Sequence, residues 1–189
     1  MSMDGKHRSF QEQVEKQPDY RYDVRNEIII NNDTMIFEEE YNVKVLMLNG
    51  SAKANGNTYA SLLEVGRQLE KEGIEYEIFQ MGGEPVRDCL GCGQCTENGC
   101  VFADDKVNEF VAKAKEADGF VFGTPVYYAH PSGRVMSFLD RAFYSSGRAA
   151  FAFKPGASVA VARRGGTTAS FDAMNKYFGI CQMPVAGST

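Results

Sequence analysis

No apolar stretch in the 189-residue chain approaches the roughly 20 residues that a membrane-crossing helix needs. The N-terminus is too polar and too acidic for a signal or transit peptide, so the chain reads as cytoplasmic. Basic charge is not in surplus: 20 Lys and Arg face 25 Asp and Glu. The acidic excess lies wholly in residues 1–42, with 5 basic and 10 acidic side chains, while 15 of each follow from Val43 onward. Without a basic stripe, nucleic acid and anionic membrane surfaces are excluded as expected partners. Internal repeats are absent, and the length leaves room for one ordinary α/β domain of about 100–150 residues. Two nucleotide loops are missing as well. GxxxxGKS/T has no match because Asn57 follows Gly56, and the GxGxxG fingerprint does not occur from Gly50 onward. Nor does any cysteine begin the CxxxxxR loop of a cysteine-dependent phosphatase.

Two segments divide the chain. Residues 1–42 open with a polar run, Ser2 to Asp19, and continue into β-prone pieces, Glu27–Asn31 and Thr34–Glu39, which predicts a hairpin or a disordered arm. Residues 43–189 alternate strand and helix. Apolar strands are expected at Val43–Leu48, Tyr76–Phe79, Phe120–Phe122 and Ser158–Ala162, with a fifth at Pro184–Ala186. Between them, Tyr59, Leu62, Leu63, Gly66 and Leu69 recur at helical spacing, as do Val107, Phe110, Val111, Ala114 and Ala117, then Val135, Phe138, Leu139, Ala142 and Phe143. A further helix is expected near Ser170–Phe178. Strands rich in Val and Phe without clean alternation suit a sheet buried on both faces, with right-handed parallel crossovers. The predicted architecture is a doubly wound five-stranded parallel sheet in three α/β/α layers. The chain stops after the fifth strand, which predicts a truncated protein lacking its terminal covering helix.

The first strand runs into Asn49-Gly50-Ser51-Ala52-Lys53-Ala54-Asn55-Gly56-Asn57-Thr58 and then a helix. Strand, glycine-bearing loop and helix make an anion-binding unit. A phosphate there would receive backbone N–H groups and the positive end of the helix dipole, with Ser51, Asn57 and Thr58 adding hydrogen bonds and Lys53 adding charge. An ordinary turn capped by Asn57 or Thr58 is the alternative.

Together with the GSxxxxGNT pattern from Gly50, the run Gly123-Thr124-Pro125-Val126-Tyr127-Tyr128-Ala129-His130-Pro131-Ser132-Gly133, followed by Phe138-Leu139-Asp140-Arg141, resembles the flavodoxin-like NAD(P)H-dependent FMN reductases. The resemblance spans Val43 to Thr189 and implies a flavodoxin-like fold, bound FMN and NAD(P)H as co-substrate. It implies that Ser51, Lys53, Asn57 and Thr58 hold the phosphate, and that Thr124, Pro125, Val126, Tyr127 and Tyr128 cradle the isoalloxazine ring. Pro125 is expected to end the strand, and Tyr127 or Tyr128 to stack on the ring. His130 is a candidate flavin contact without a proton-transfer role. Ala162-Arg163-Arg164-Gly165-Gly166-Thr167-Thr168 resembles the remaining flavin loop, with Arg164, Gly165 and Gly166 bordering the ring. The three loops fall at the carboxyl ends of strands one, three and four, where such sheets place ligands. The implied activity passes electrons from reduced pyridine nucleotide through FMN to a small acceptor such as a quinone or flavin, without a protein nucleophile. Relatives of the fold dimerise across the flavin edge, which implies a homodimer.

Four of five cysteines crowd one loop: Cys89, Cys92, Cys95 and Cys100 read CxxCxxCxxxxC. In a reducing compartment such crowding points to metal ligation before disulfides, and four soft thiolates on one short loop suit iron–sulfur chemistry. Zinc, a disulfide framework and a metal-free structural turn are the alternatives. The spacing resembles the iron–sulfur flavoproteins, whose 4Fe-4S cluster sits on the loop after the second strand. That likeness implies a second reading, a carrier relaying single electrons between partner proteins. Cys181 stands apart and is read as core packing.

Overall fold

The computed structural model describes residues 42–146 and 149–187. The expected N-terminal arm, apart from Asn42, lies outside the described residues. In chain order the elements are β1 (Lys44–Asn49), α1 (Asn57–Lys71), β2 (Glu75–Gln80), α2 (Val107–Glu116), β3 (Gly119–Tyr127), β4 (His130–Pro131), α3 (Gly133–Ser145), β5 (Gly156–Val161) and α4 (Thr167–Ile180). β2, β1, β3 and β5 lie side by side in that order, all parallel. The chain has the expected α/β, flavodoxin-like, doubly wound architecture.

Alternation along the strands sends neighbouring side chains to opposite faces. Leu46, Leu48, Phe120 and Phe122 face the layer built by α2, α3 and α4, where they meet Phe110, Phe138, Phe143 and Phe178. Met47 and Val121 face the other way, onto Leu62 of α1. The larger layer is mostly aromatic: Phe143 stacks on Phe151 at 4.1 Å, and Phe110 meets Phe138 edge-on at 5.3 Å. Of these rings, the fully buried Phe110, Phe138 and Phe151 each contribute about 1.5–3 kcal/mol from area alone. Cys181 is buried in this layer, as its isolation suggested. Gly66 has a packing reason, since a Cβ there would lie 2.5 Å from the Tyr76 ring.

Two features differ from the sequence reading. Pro125 does not end its strand; β3 continues to Tyr127, and Pro125 pairs in register with Val161. The proline is tolerated because pairing with β1 has stopped at Gly123, so one side of β3 no longer needs a ladder donor there, and its carbonyl still accepts from Ser132 N at 3.2 Å. The fifth parallel strand is reduced to a single bridge at Val185 beside Gly156. Gly156 N donates to Pro184 O and Ala186 N to Gly156 O, both at 2.9 Å. Pro184 itself has no N–H with which to extend that ladder. The fifth strand assigned to the sheet is the two-residue β4, antiparallel to β3.

Candidate functional site

Parallel strands deliver their following loops to one rim of the sheet, and the turn after β1 is pinned there by its own main chain. Gly50 N donates to Gly123 O at 2.9 Å, and a Cβ on Gly50 would lie 2.2 Å from Val135 Cγ2. Only glycine lets the loop sit this close to β3 and α3. The turn then folds on itself: Lys53 N donates to Ser51 Oγ at 3.1 Å, and Gly56 N to Lys53 O. The first residue before α1 is Gly56, whose lack of a side chain leaves the helix with no side-chain cap. No acidic residue occupies its first turn either. The capped-turn alternative therefore fails, and the positive end of a 15-residue helix is left open to an anion. Around it lie the exposed side chains of Lys53 and Asn57, with Ser51 and Thr58 buried behind them. This donor set fits a phosphate.

The turn after β3 is a tight hairpin. Tyr127 pairs with His130, and the two residues between them, Tyr128 and Ala129, have φ of +52° and +58°. Two consecutive left-handed residues make the primed turn that glycine and asparagine normally supply. Placing Tyr and Ala there costs of order 1 kcal/mol each, a strain typical of ligand-binding segments. The result is that Tyr127 and Tyr128 stand exposed at the rim. Thr124 behaves differently from its neighbours. Its side chain is fully buried, accepting from Ser132 N at 3.1 Å and donating to Pro125 O at 2.9 Å. It fixes the hairpin from behind and turns no atom toward the rim. Pro125 and Val126 are half-buried, and His130 is exposed with Nδ1 3.1 Å from Pro131 O.

The turn after β5 closes on this hairpin. Gly166 has φ +99°, and a Cβ there would lie 2.4 Å from Ala129 Cα, so glycine is required both by conformation and by contact. Arg164 and Gly165 beside it are exposed. Like α1, α4 starts without a side-chain cap or an acidic residue in its first turn. The three sequence-predicted loops thus form one continuous rim, the first joined to the second at Gly123 and the second to the third at Ala129.

Residues missed in the sequence support this rim from below. Asn49 is buried, donates to Gln80 Oε1 and, at 3.4 Å, to Lys53 O, and accepts from Ser51 N at 3.2 Å. Gln80 donates in turn to Ser51 O at 2.8 Å. The two amides sit opposite each other in the β1–β2 register, a pairing that only the fold reveals.

The cysteine loop leaves the same rim after β2. Among the described residues no three His, Cys, Asp or Glu side chains are gathered tightly enough to enclose a metal ion. The four sulfurs are carried on one loop but are not closed around a point. They nevertheless share one electrostatic neighbourhood. Burial raises the Cys95 thiol above its ordinary value, and Cys100, Cys92 and Cys89 push it further, against an opposing pull from Arg141. Gly91, Gly93 and Gly99 adopt positive φ between these cysteines. The donor set, four thiols within twelve residues, fits a soft-metal cluster.

Arg141 of α3 is the other residue whose role the sequence concealed. It is 1 % exposed and spends its donors on this loop: Nε to Cys100 Sγ at 3.4 Å, Nη2 to Phe102 O at 2.6 Å, and Nη1 to Arg87 O at 3.4 Å and to the Asp105 carboxylate. Burial works against its charge, but the bonds to Cys100 and Asp105 outweigh that and hold the guanidinium above its ordinary value.

A model of the NADPH-dependent FMN reductase family matches residues 43–189. An iron–sulfur flavoprotein of Methanocaldococcus jannaschii is 34% identical over 148 residues, covering 77% of this chain and 76% of that protein. An FMN-dependent NADPH-azoreductase of Staphylococcus saprophyticus is 30% identical over 52% of this chain, which spans about half (51%) of that enzyme. Among solved structures, an archaeal flavodoxin superposes with a TM-score of 0.52 at 14% identity, over 77% of this chain and 78% of its own. That last likeness bears on the fold alone.

Proposed function

Because the chain belongs to the NADPH-dependent FMN reductase family and is a flavin-dependent oxidoreductase, we propose that it takes reducing equivalents from NADPH or NADH and passes them through FMN to a small acceptor such as a quinone or free flavin. The observation that carries this reading is the continuous rim, with an uncapped helix end at one side and two exposed tyrosines on a strained hairpin at the other. Bound FMN would supply the chemistry, accepting hydride and releasing electrons singly or in pairs.

The chain's own residues then bind and orient. The open N–H groups at the start of α1, with Ser51, Asn57 and Thr58, receive the phosphate, and Lys53 adds charge. Val126, Tyr127 and Tyr128 hold the ring, while Thr124 and Pro125 set the hairpin that carries them. Arg164, Gly165 and Gly166 border it, and a second copy of the chain over the tyrosines would complete the cover. Mixing purified protein with NADPH or NADH in a stopped-flow instrument should bleach the bound flavin rapidly. Colourless protein that takes up no FMN at micromolar concentration would overturn the reading.

The cysteine loop favours a second reading, an electron carrier in which Cys89, Cys92, Cys95 and Cys100 hold a 4Fe-4S cluster. It is supported by the CxxCxxCxxxxC spacing and by the name of the Methanocaldococcus relative. Slow reduction by pyridine nucleotide with fast reduction by ferredoxin would favour the carrier, and iron and sulfide analysis after anaerobic purification reports the cluster itself.

A further inference from the structure

We propose that Arg141 is a positioning residue for the cysteine loop that also sets the reduction potential of the cluster it holds, with Asp105 as the opposing control. The inference rests on the cluster reading above and concerns only how this chain's residues tune it.

The geometry of a single buried guanidinium carries the argument. Arg87 precedes the first cysteine of the loop and Phe102 follows the last, and Arg141 donates to the carbonyl of each. One side chain therefore ties together the two stems between which all four sulfurs hang. The Arg87 guanidinium lies over the Phe102 ring, 4.6 Å from its centroid, and closes the same gap from outside. Arg141 also aims Nε–H at the Cys100 sulfur. N–H donors and positive charge at a ligand sulfur stabilise the more negative, reduced cluster and so raise its potential. Asp105 works against this. Its side chain is 7 % exposed and pairs with Nη1 of the same guanidinium, offsetting part of the charge that Cys100 would otherwise feel. Its other oxygen accepts from Val107 N at 3.1 Å at the start of α2, a bond that asparagine preserves.

The two residues consequently predict shifts of opposite sign, which a purely structural role would not produce. Full-length protein is purified anaerobically, its iron, sulfide and FMN are quantified, and the cluster midpoint is followed by EPR during a redox titration with the FMN midpoint as internal reference. Arg141→Gln should move the cluster midpoint to more negative values and Asp105→Asn to more positive ones, with the FMN midpoint unmoved in both. Arg141→Lys, which keeps the charge but loses the fork, should fall between wild type and Arg141→Gln. Should Arg141→Gln fail to fold or to retain iron, the sign of the Asp105→Asn shift decides alone. Wild-type protein that holds iron while Asp105→Asn leaves the midpoint unshifted or lowers it would overturn the inference but not the cluster. Wild-type protein with FMN and neither iron nor sulfide would remove the cluster reading and this inference with it.

Discussion

The turns after β1, β3 and β5 join one another through close main-chain contacts, braced from behind by Asn49, Gln80 and Thr124, whereas the stems of the cysteine loop are clamped by side chains reaching them from two helices. In the first group Gly50 and Gly166 let backbone lie against backbone, and the side chains of Lys53, Asn57, Tyr127, Tyr128 and Arg164 are left pointing outward. In the second, Asn108 of α2 exchanges two 2.8 Å hydrogen bonds with the backbone of Cys100, and Arg141 of α3 reaches Arg87, Cys100, Phe102 and Asp105. Each design suits the ligand chemistry assigned to it. A phosphate and a flat ring are recognised by preformed N–H groups and exposed faces, so the scaffold must be rigid before the ligand arrives. For the proposed cluster, clamping the two stems would leave the four thiolates between them able to move onto a metal as it binds.

The sharpest way to break this contrast is Arg141→Ala. It removes the clamp and leaves Asp105 buried without its counter-charge, a loss that ordinarily costs about 3–5 kcal/mol. Urea denaturation of the metal-free protein should show it, and adding Asp105→Ala should restore part of the loss. A change under about 1 kcal/mol would mean that the loop is not held from α3. The matching test of the rim is Gly166→Ala. The new methyl meets the Ala129 backbone and the φ of +99° disfavours any L side chain, so roughly 1–3 kcal/mol should be lost. Because the shift would separate the second loop from the third, FMN affinity measured by fluorescence quenching should fall in parallel. Full stability with unchanged affinity would show that these loops act independently.

One side of this contrast is legible in the sequence and the other is not. Helical spacing located α1, α2 and α3 within a few residues, because one-sided burial imposes that period on the sequence. The rim loops were legible through the family resemblance carried by GSxxxxGNT and the run Gly123 to Gly133, because the glycine-bearing turn after β1 by itself is equally compatible with an ordinary capped turn. Arg141 was not, because it lies 41 residues from Cys100, and a charged residue on an amphipathic helix ordinarily faces water. The motif places Thr124 at the ring, but its inward side chain follows from the hydrogen bond it accepts from Ser132 N, which spacing does not specify. The Tyr128-Ala129 turn broke the usual turn chemistry, and such a break is itself typical of a functional segment.

A finer test separates binding from stability within the rim. Asn57 is the first residue of α1, exposed, and that turn contains no acid. Asn57→Asp should therefore stabilise the FMN-free protein by about 0.3–1 kcal/mol, since a carboxylate complements the helix dipole. The same carboxylate would face the phosphate and remove an amide donor, weakening FMN binding by roughly tenfold, or about 1.4 kcal/mol. Added salt should narrow that loss by screening the two anions, whereas Asn57→Ala, which loses the donor without gaining charge, should show a smaller and less salt-dependent loss. Opposite signs for stability and affinity require the helix end to be vacant for an anion and then used by one. If Asn57→Asp raised stability but left FMN affinity untouched, the open end of α1 would be a feature of the fold and the phosphate would have to sit elsewhere on the rim.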